Sequence, residues 1–208
     1  MKIQSPVEER WNWITHGLGF VLALVGLFLL IKFDSHKTEF STISVILYGC
    51  AMLILYFAST AYHYTSQADL KKKLRVLDHI GIYLLIAGTY SPVTLITLID
   101  SKGILLFVSV WSLAVIGSIL KFFFTGRFQI FSIVLYLLMG WLIMLDIEVL
   151  ANKIGDDGID YLMYGGIAYT VGIIFYALKR IPFTHVIWHL FVLAGTAFHY
   201  VLILKYII

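Results

Sequence analysis

The chain's 208 residues are 61% apolar and only 13% charged, with a net charge of +3 and a mean hydropathy of +0.93. Soluble domains run at roughly 45–50% apolar and ~25% charged, and a soluble fold of this composition would expose large apolar patches to water. A disordered chain, a coiled coil and a soluble nucleic-acid-binding domain are excluded, which leaves an integral membrane protein whose residues 1–208 read as a single all-α membrane domain.

Runs of about 20 mostly apolar residues, the length that crosses a bilayer as a helix, predict seven spans. In chain order they cover residues 15–33, 42–64, 77–99, 103–124, 130–149, 161–178 and 183–207. Short polar breaks separate them, 151–160 among these. The runs are too long and too continuously apolar for barrel strands, which need about 9–11 alternating residues. Helices satisfy their backbone amides within the segment. The first run follows Lys2 and Arg10 with no small-residue cleavage site, so it reads as a retained span rather than a signal peptide. The single cysteine, Cys50, lies in the second run and reads as core packing; no intramolecular disulfide is possible. Pro92, inside the third run, predicts a kink.

The basic residues give an orientation. With seven spans, Lys2, Arg10, Lys71, Lys72, Lys73, Arg75, Lys121, Arg127, Lys179 and Arg180 share one side. Lys32, Lys37, Lys102, Lys153 and Lys205 make up the rest of the fifteen, on the other. The excess of Lys and Arg marks the cytoplasmic side, so the N-terminus is predicted to be cytoplasmic and the C-terminus extracytoplasmic.

On that topology His16, His63, His79, His185 and His189 all fall at the cytoplasmic ends of their spans, while His36 lies in a loop. His185 and His189 are four apart, so they share a helix face about 6 Å apart in rise. Ser59 and His63 have the same spacing, and Asp78 opens the third span. A histidine pair at i, i+4 with one histidine from another helix offers three nitrogen ligands. That is the pattern of a catalytic zinc site, with a fourth position open for water. Imidazole suits Zn2+, whereas hard cations want more carboxylates.

Each of these residues alone has a plainer reading. Ser59 would bond its own helix backbone, Asp78 would pair with Arg75 or with a loop lysine, and the histidine pair would be interfacial. Their collection at one depth, where ionisable side chains are costly, favours a metal site. His16 reads either as a partner that orients a ligand ring or the Asp78 carboxylate, or as a helix-start histidine bonded to loop backbone. His79 follows Asp78 by one residue, hence points ~100° away; it supports the site or faces another helix. His199 lies ten residues beyond His189, ~15 Å deeper, and reads either as a hydrogen bond between helices or as a residue with a substrate or proton-path role. Asp146 and Glu148 line an outer vestibule or sit at the interface.

Ser59-Thr-Ala-Tyr-His63, Arg75-Val-Leu-Asp78-His79 and His185-Val-Ile-Trp-His189 resemble the signature stretches of the hemolysin III family. That family belongs to the progestin and adipoQ receptor (PAQR) group, within a wider superfamily of membrane hydrolases that includes the alkaline ceramidases. The opening Glu8-Glu9-Arg-Trp-Asn12 with Thr15-His16-Gly17, and the closing Trp188-His189 with Gly195 and Phe198-His199, resemble the bacterial branch, so the resemblance spans the chain. It implies a multi-pass protein of the bacterial plasma membrane that holds zinc near the cytoplasmic face. The ligands it implies are His63, His185 and His189, with Asp78 holding or activating the zinc-bound water and Ser59 supporting them. It also implies hydrolysis of a lipid amide or ester, the ceramidase kinship favouring an amide. Only about fourteen residues precede the first span, where eukaryotic receptors of the group carry a long cytoplasmic region, so recognition of adiponectin or steroid hormones is not expected.

Two rival readings remain. A pore-forming, cytolytic protein needs a polar lining along its length, whereas the polar residues here gather at the inner end. A non-enzymatic receptor or regulator of membrane state would use structural zinc, closed by four protein ligands.

Overall fold

The structure, a computed structural model, describes residues 4–178 and 180–208; Lys2 and Lys179, both counted in the orientation argument, lie outside the described residues. The first helix, α1 (Pro6–Phe33), starts on a cap the sequence spells out. The Ser5 hydroxyl accepts from the Glu8 amide at 3.2 Å and the Glu8 carboxylate accepts from the Ser5 amide at 2.8 Å. This reciprocal pair, with proline at the first helical position, satisfies amides that a helix start leaves open. The helix therefore begins at Pro6 and not at residue 15, and Glu8, Glu9 and Asn12 become helical residues.

Then follow α2 (Ser41–Tyr64), α3 (Ala68–Pro92), α4 (Gly103–Phe124), α5 (Gln129–Trp141), α6 (Ile147–Ala177) and α7 (Thr184–Leu202). Wider turns of π type continue α3 over Val93–Thr97 and α7 over Ile203–Ile207, and a tighter 3-10 segment, Leu142–Asp146, joins α5 to α6. Pro92 is the last residue of α3, and the π turns begin beside it; a proline has no amide proton to give to the turn before it. No strand occurs among the described residues.

Six helical stretches are long and apolar enough to cross a membrane: Pro6–Phe33, Ser41–Tyr64, Ala68–Thr97, Gly103–Phe124, Gln129–Ala177 and Thr184–Ile207. The sequence predicted seven. The difference lies in Gln129–Ala177, whose 49 residues contain both the fifth and the sixth predicted runs. Residues 151–160 are helical on both sides of Gly155, whose angles (φ 71°, ψ 177°) alone depart from the helix there. Asn152, Lys153, Asp156, Asp157 and Asp160 gave this segment the polarity of a loop, but they are exposed side chains on helical backbone. Trp141 donates its indole N–H to Thr170 Oγ1 at 3.3 Å. A straight helix would hold those residues about 43 Å apart, so the chain doubles back at Gly155, where a positive φ suits a residue without Cβ.

The buried centre lies where α2 meets α3. Tyr48 and Tyr56 of α2 are fully buried with their hydroxyls toward Thr196 of α7, and Tyr83 of α3 is fully buried against Tyr136 of α5, while Phe28, Phe57, Phe122 and Phe123 face outward, as lipid contact requires. Cys50 is exposed, contrary to the expectation, because it lies off the stripe of Tyr48, Met52, Leu55, Tyr56, Ser59 and His63 by which α2 is buried.

The connections sort to two ends. At one, Glu8 Oε1 accepts from the Phe183 amide at 2.7 Å and Glu9 Oε1 from Lys71 Nζ at 2.9 Å. At the other, Lys37 Nζ donates to the Ile207 carbonyl and Lys153 Nζ to the Thr97 carbonyl, both at 2.8 Å. Asp146 belongs to this second end: it is buried and accepts from the Ser101 hydroxyl at 2.5 Å and the Lys102 amide at 3.0 Å, a tie between segments rather than a vestibule wall.

Candidate metal centre

His63 closes α2, and His185 and His189 occupy successive turns at the start of α7. The ring centroids are 5.2 Å apart for His63 and His185, 5.0 Å for His63 and His189, and 4.7 Å for His185 and His189. One ligand nitrogen from each lies within 4.8 Å of the other two. His63 and His189 are buried and His185 is half-buried. Three imidazoles from two helices thus reach a common point, and they can hold a metal ion.

Helix α1 orients two of the rings. Glu9 Oε2 accepts from Nδ1 of His63 at 2.6 Å. The Asn12 carbonyl accepts from Nδ1 of His189 at 3.2 Å, with Thr15 Oγ1 3.3 Å from the same nitrogen. A carboxylate and a carbonyl carry no proton, so Nδ1 carries it in both rings and Nε2 keeps its lone pair. His63 Nε2 is buried with no hydrogen-bond partner among the described residues. A bare buried acceptor costs about 1–3 kcal/mol, and a ring whose other nitrogen is backed by a carboxylate is the usual form of a metal-binding histidine. The residues fit a metal ion on that observation. Sequence reasoning missed Glu9 and Asn12 in this role. A signal existed: Glu9, Asn12 and His16 are polar at i, i+3 and i+7, one face of a helix otherwise turning apolar.

The other singled-out residues are placed as follows. His16 stacks flat on His189, with centroids 3.6 Å apart and planes 12° from parallel. Both its nitrogens are buried without partners among the described residues, where no bond to loop backbone is made. Ser59 is fully buried and its hydroxyl has no partner among the described residues, so the bond to its own helix expected of an isolated serine is absent. Asp78 makes no ion pair with Arg75 among the described residues; its carboxylate is 3.8 Å from Nδ1 of His79, and it is not one of the three converging groups. His79 turns aside. Its Nδ1 donates to the Arg75 carbonyl at 2.6 Å, and its own carbonyl accepts from Tyr136 of α5 at 3.2 Å.

A cavity of about 360 Å³ adjoins the cluster, with His16, His185 and His189 in its wall. Glu8, Glu9, Lys71, Arg75 and Asp78 line it on the polar side; Leu55, Ile82, Ile86 and Val192 line its apolar part.

Residues 4–200 match the family model described as Haemolysin-III related. The chain belongs to that family. It is 43% identical to "Hemolysin-3" of Bacillus cereus over 206 residues, covering 99% of this chain and 94% of the relative. It is 42% identical to "Hemolysin-3 homolog" of Bacillus subtilis (strain 168) over 200 residues, with 96% and 94% covered. A human relative, "Monocyte to macrophage differentiation factor", is 31% identical over 208 residues, with 96% and 84% covered, which is consistent with the PAQR group. No solved structure matches the chain significantly. The haemolysin-III-related kinship and the apolar helices make this a multi-pass membrane protein in contact with membrane lipids.

Proposed function

We propose that this chain is a zinc-dependent membrane hydrolase that cleaves an amide or ester bond of a lipid. The observation that carries the reading is the convergence of His63, His185 and His189 beside a cavity with apolar walls. An all-nitrogen donor set favours zinc over hard cations. Three protein ligands with no carboxylate in the cluster favour a position left open for chemistry over a closed structural clamp. A zinc ion held there supplies Lewis acidity and acidifies water toward neutral pH.

The chain's own residues do the rest. Glu9 and the Asn12 carbonyl hold the rings of His63 and His189 in one tautomer. We assign Asp78 to accept the proton of the attacking water and return it to the leaving amine or alcohol. Ser59, buried with an unengaged hydroxyl, is assigned as a donor to the oxygen that gains charge at the carbonyl. The apolar walls take the acyl chain. The resemblance to a superfamily that includes the alkaline ceramidases favours an amide.

The reading includes one membrane domain with seven crossings, the N-terminus cytoplasmic. A stretch of 49 residues is ~74 Å of helix, more than twice the ~30 Å of hydrocarbon in a bilayer; the reversal at Gly155 supports two crossings within it.

Metal content per chain tests the proposal first. Purified protein is expected to hold one zinc, lost in His63→Ala, His185→Ala and His189→Ala; a wild-type preparation without stoichiometric zinc refutes it. Labelled ceramides are expected to be turned over by wild type and not by His189→Ala; equal rates remove that substrate class. The names of the Bacillus relatives support a second reading, membrane lysis. Conductance across planar bilayers that persists in His63→Ala would favour it.

A further inference from the structure

At the polar end of the cavity three donors stand without acceptors. They are the hydroxyls of Tyr62 on α2 and Tyr176 on α6 and the guanidinium of Arg75 on α3. None makes a hydrogen bond or ion pair among the described residues, and each side chain is a half-buried part of the cavity wall, so surface remains on it for a ligand. Each tyrosine flanks a histidine of the cluster. The Tyr62 ring lies 4.6 Å from that of His63 and the Tyr176 ring 6.1 Å from that of His185, centroid to centroid. Both hydroxyls are near enough to Arg75 and Asp78 for those charges to act on them, and Tyr176 is within the same reach of Tyr62. The guanidinium rests against the turn between α4 and α5, where a Cβ on Gly126 would come 3.3 Å from one of its nitrogens. The acids of the same wall are engaged elsewhere. Glu9 holds His63 at 2.6 Å and Lys71 at 2.9 Å, and Glu8 accepts from the Ser5 and Phe183 amides at 2.8 and 2.7 Å. Asp78 lies 3.8 Å from Nδ1 of His79 and does not pair with Arg75. A guanidinium offers planar N–H donors that a carboxylate matches two at a time.

We propose that the cavity prefers an acyl chain joined to an anionic headgroup, an N-acyl α-amino acid, whose carboxylate is held by Arg75 with Tyr62 and Tyr176. The inference rests on the proposed hydrolase reading only for where the amide lies, beside Asp78 and the three histidines. Spacing picks out the α-carboxylate. Arg75 precedes Asp78 by three residues, ~4.5 Å along α3 toward the polar end. In an N-acyl α-amino acid the carboxylate carbon stands three bonds from the amide carbon, roughly 3.7 Å when extended. A neutral headgroup leaves the guanidinium without an acceptor.

The test uses full-length protein in phosphatidylcholine nanodiscs, with zinc per chain measured on the same sample. The probe is 4-oxopentadecanoate, the dodecanoyl-glycine skeleton with a methylene in place of the amide nitrogen, so nothing is cleaved. Pentadecan-4-one, which lacks the carboxylate, is the comparison, and both affinities are corrected for partition into protein-free nanodiscs. Wild type is expected to bind the acid at least roughly tenfold more tightly, the worth of a hydrogen bond to a charged group. Arg75→Gln loses the preference while zinc content and ketone affinity stay as in wild type. Arg75→Lys keeps part of it, as a point charge without the planar fork. Tyr62→Phe and Tyr176→Phe each lower it roughly threefold, and together they decide the matter if Arg75→Gln does not fold. Equal binding of acid and ketone by wild type overturns the proposal, as does a full preference surviving in Arg75→Gln or in the double tyrosine variant. His63→Ala, which removes the metal, is expected to keep the preference; its loss there would put the carboxylate on the metal and overturn the proposal. Zinc present with no preference sinks this inference alone; preference without zinc sinks the hydrolase alone.

Discussion

Glu9 serves two partners with one carboxylate. Oε2 takes the Nδ1 proton of His63 at 2.6 Å and Oε1 takes the Lys71 ammonium at 2.9 Å. A full negative charge behind an imidazole raises its basicity toward a metal. Glu9→Gln keeps the shape and an acceptor but removes the charge. Zinc affinity, followed by competition with a chromogenic chelator, is expected to fall 10–100-fold, and further in His63→Ala. An unchanged affinity would leave Glu9 with the Lys71 pair as its whole role. His185 and His189 were legible in the sequence because a spacing of four puts two rings on one helix face, whereas His63 was singled out as their partner by the family resemblance. Glu9 and Asn12 were not, because their role exists only once α1 lies across the ends of α2 and α7, a packing that spacing along one segment does not encode.

Between elements, the approach of α2 to α3 sets where Asp78 of α3 lies relative to Ser59 and His63 of α2, the placement on which its proposed role depends. Two glycines of α3 set that approach. A Cβ on Gly81 would lie 3.0 Å from the Leu55 Cα, and one on Gly88 would lie 2.5 Å from the Ala51 Cβ and 3.2 Å from the Leu47 carbonyl. None of these atoms is the end of a flexible chain. Gly88→Ala is expected to lower stability by about 1–3 kcal/mol, the range for overpacking, seen as an earlier thermal melt in detergent. Gly140→Ala is the control: its Cβ meets nothing within 4 Å, and the helix gains propensity, so its melt should be unchanged or later. Coincident melts for the two variants would mean the α2–α3 contact is looser than these distances. Element ends were the least legible feature. An apolarity window starts α1 at residue 15 because Glu8, Glu9 and Asn12 are polar, although the Ser5–Glu8 capping pair was readable. The same window turned the polar residues around Gly155 into a loop, when a single glycine sufficed to reverse a helix.

For the whole molecule, the number of crossings decides which side of the membrane the histidine cluster faces. The all-helical membrane class followed from composition alone. The path through Gln129–Ala177 did not, because it depends on one residue's φ. In the Cys50→Ser background, single cysteines at Glu39, Ser66, Arg127, Asp157 and Arg180, all at exposed positions, report the path. With seven crossings, a membrane-impermeant maleimide is expected to label Glu39→Cys and Asp157→Cys on intact cells. Ser66→Cys, Arg127→Cys and Arg180→Cys should react only after permeabilisation. A single crossing by the 49-residue stretch would put Asp157 at membrane depth and Arg180 outside, so the pair Asp157→Cys and Arg180→Cys discriminates. Arg180 adjoins the Phe183 amide that Glu8 holds, at the same end as the histidine cluster. Labelling of Arg180→Cys from outside would therefore move the three histidines, and the cavity beside them, to the outer face.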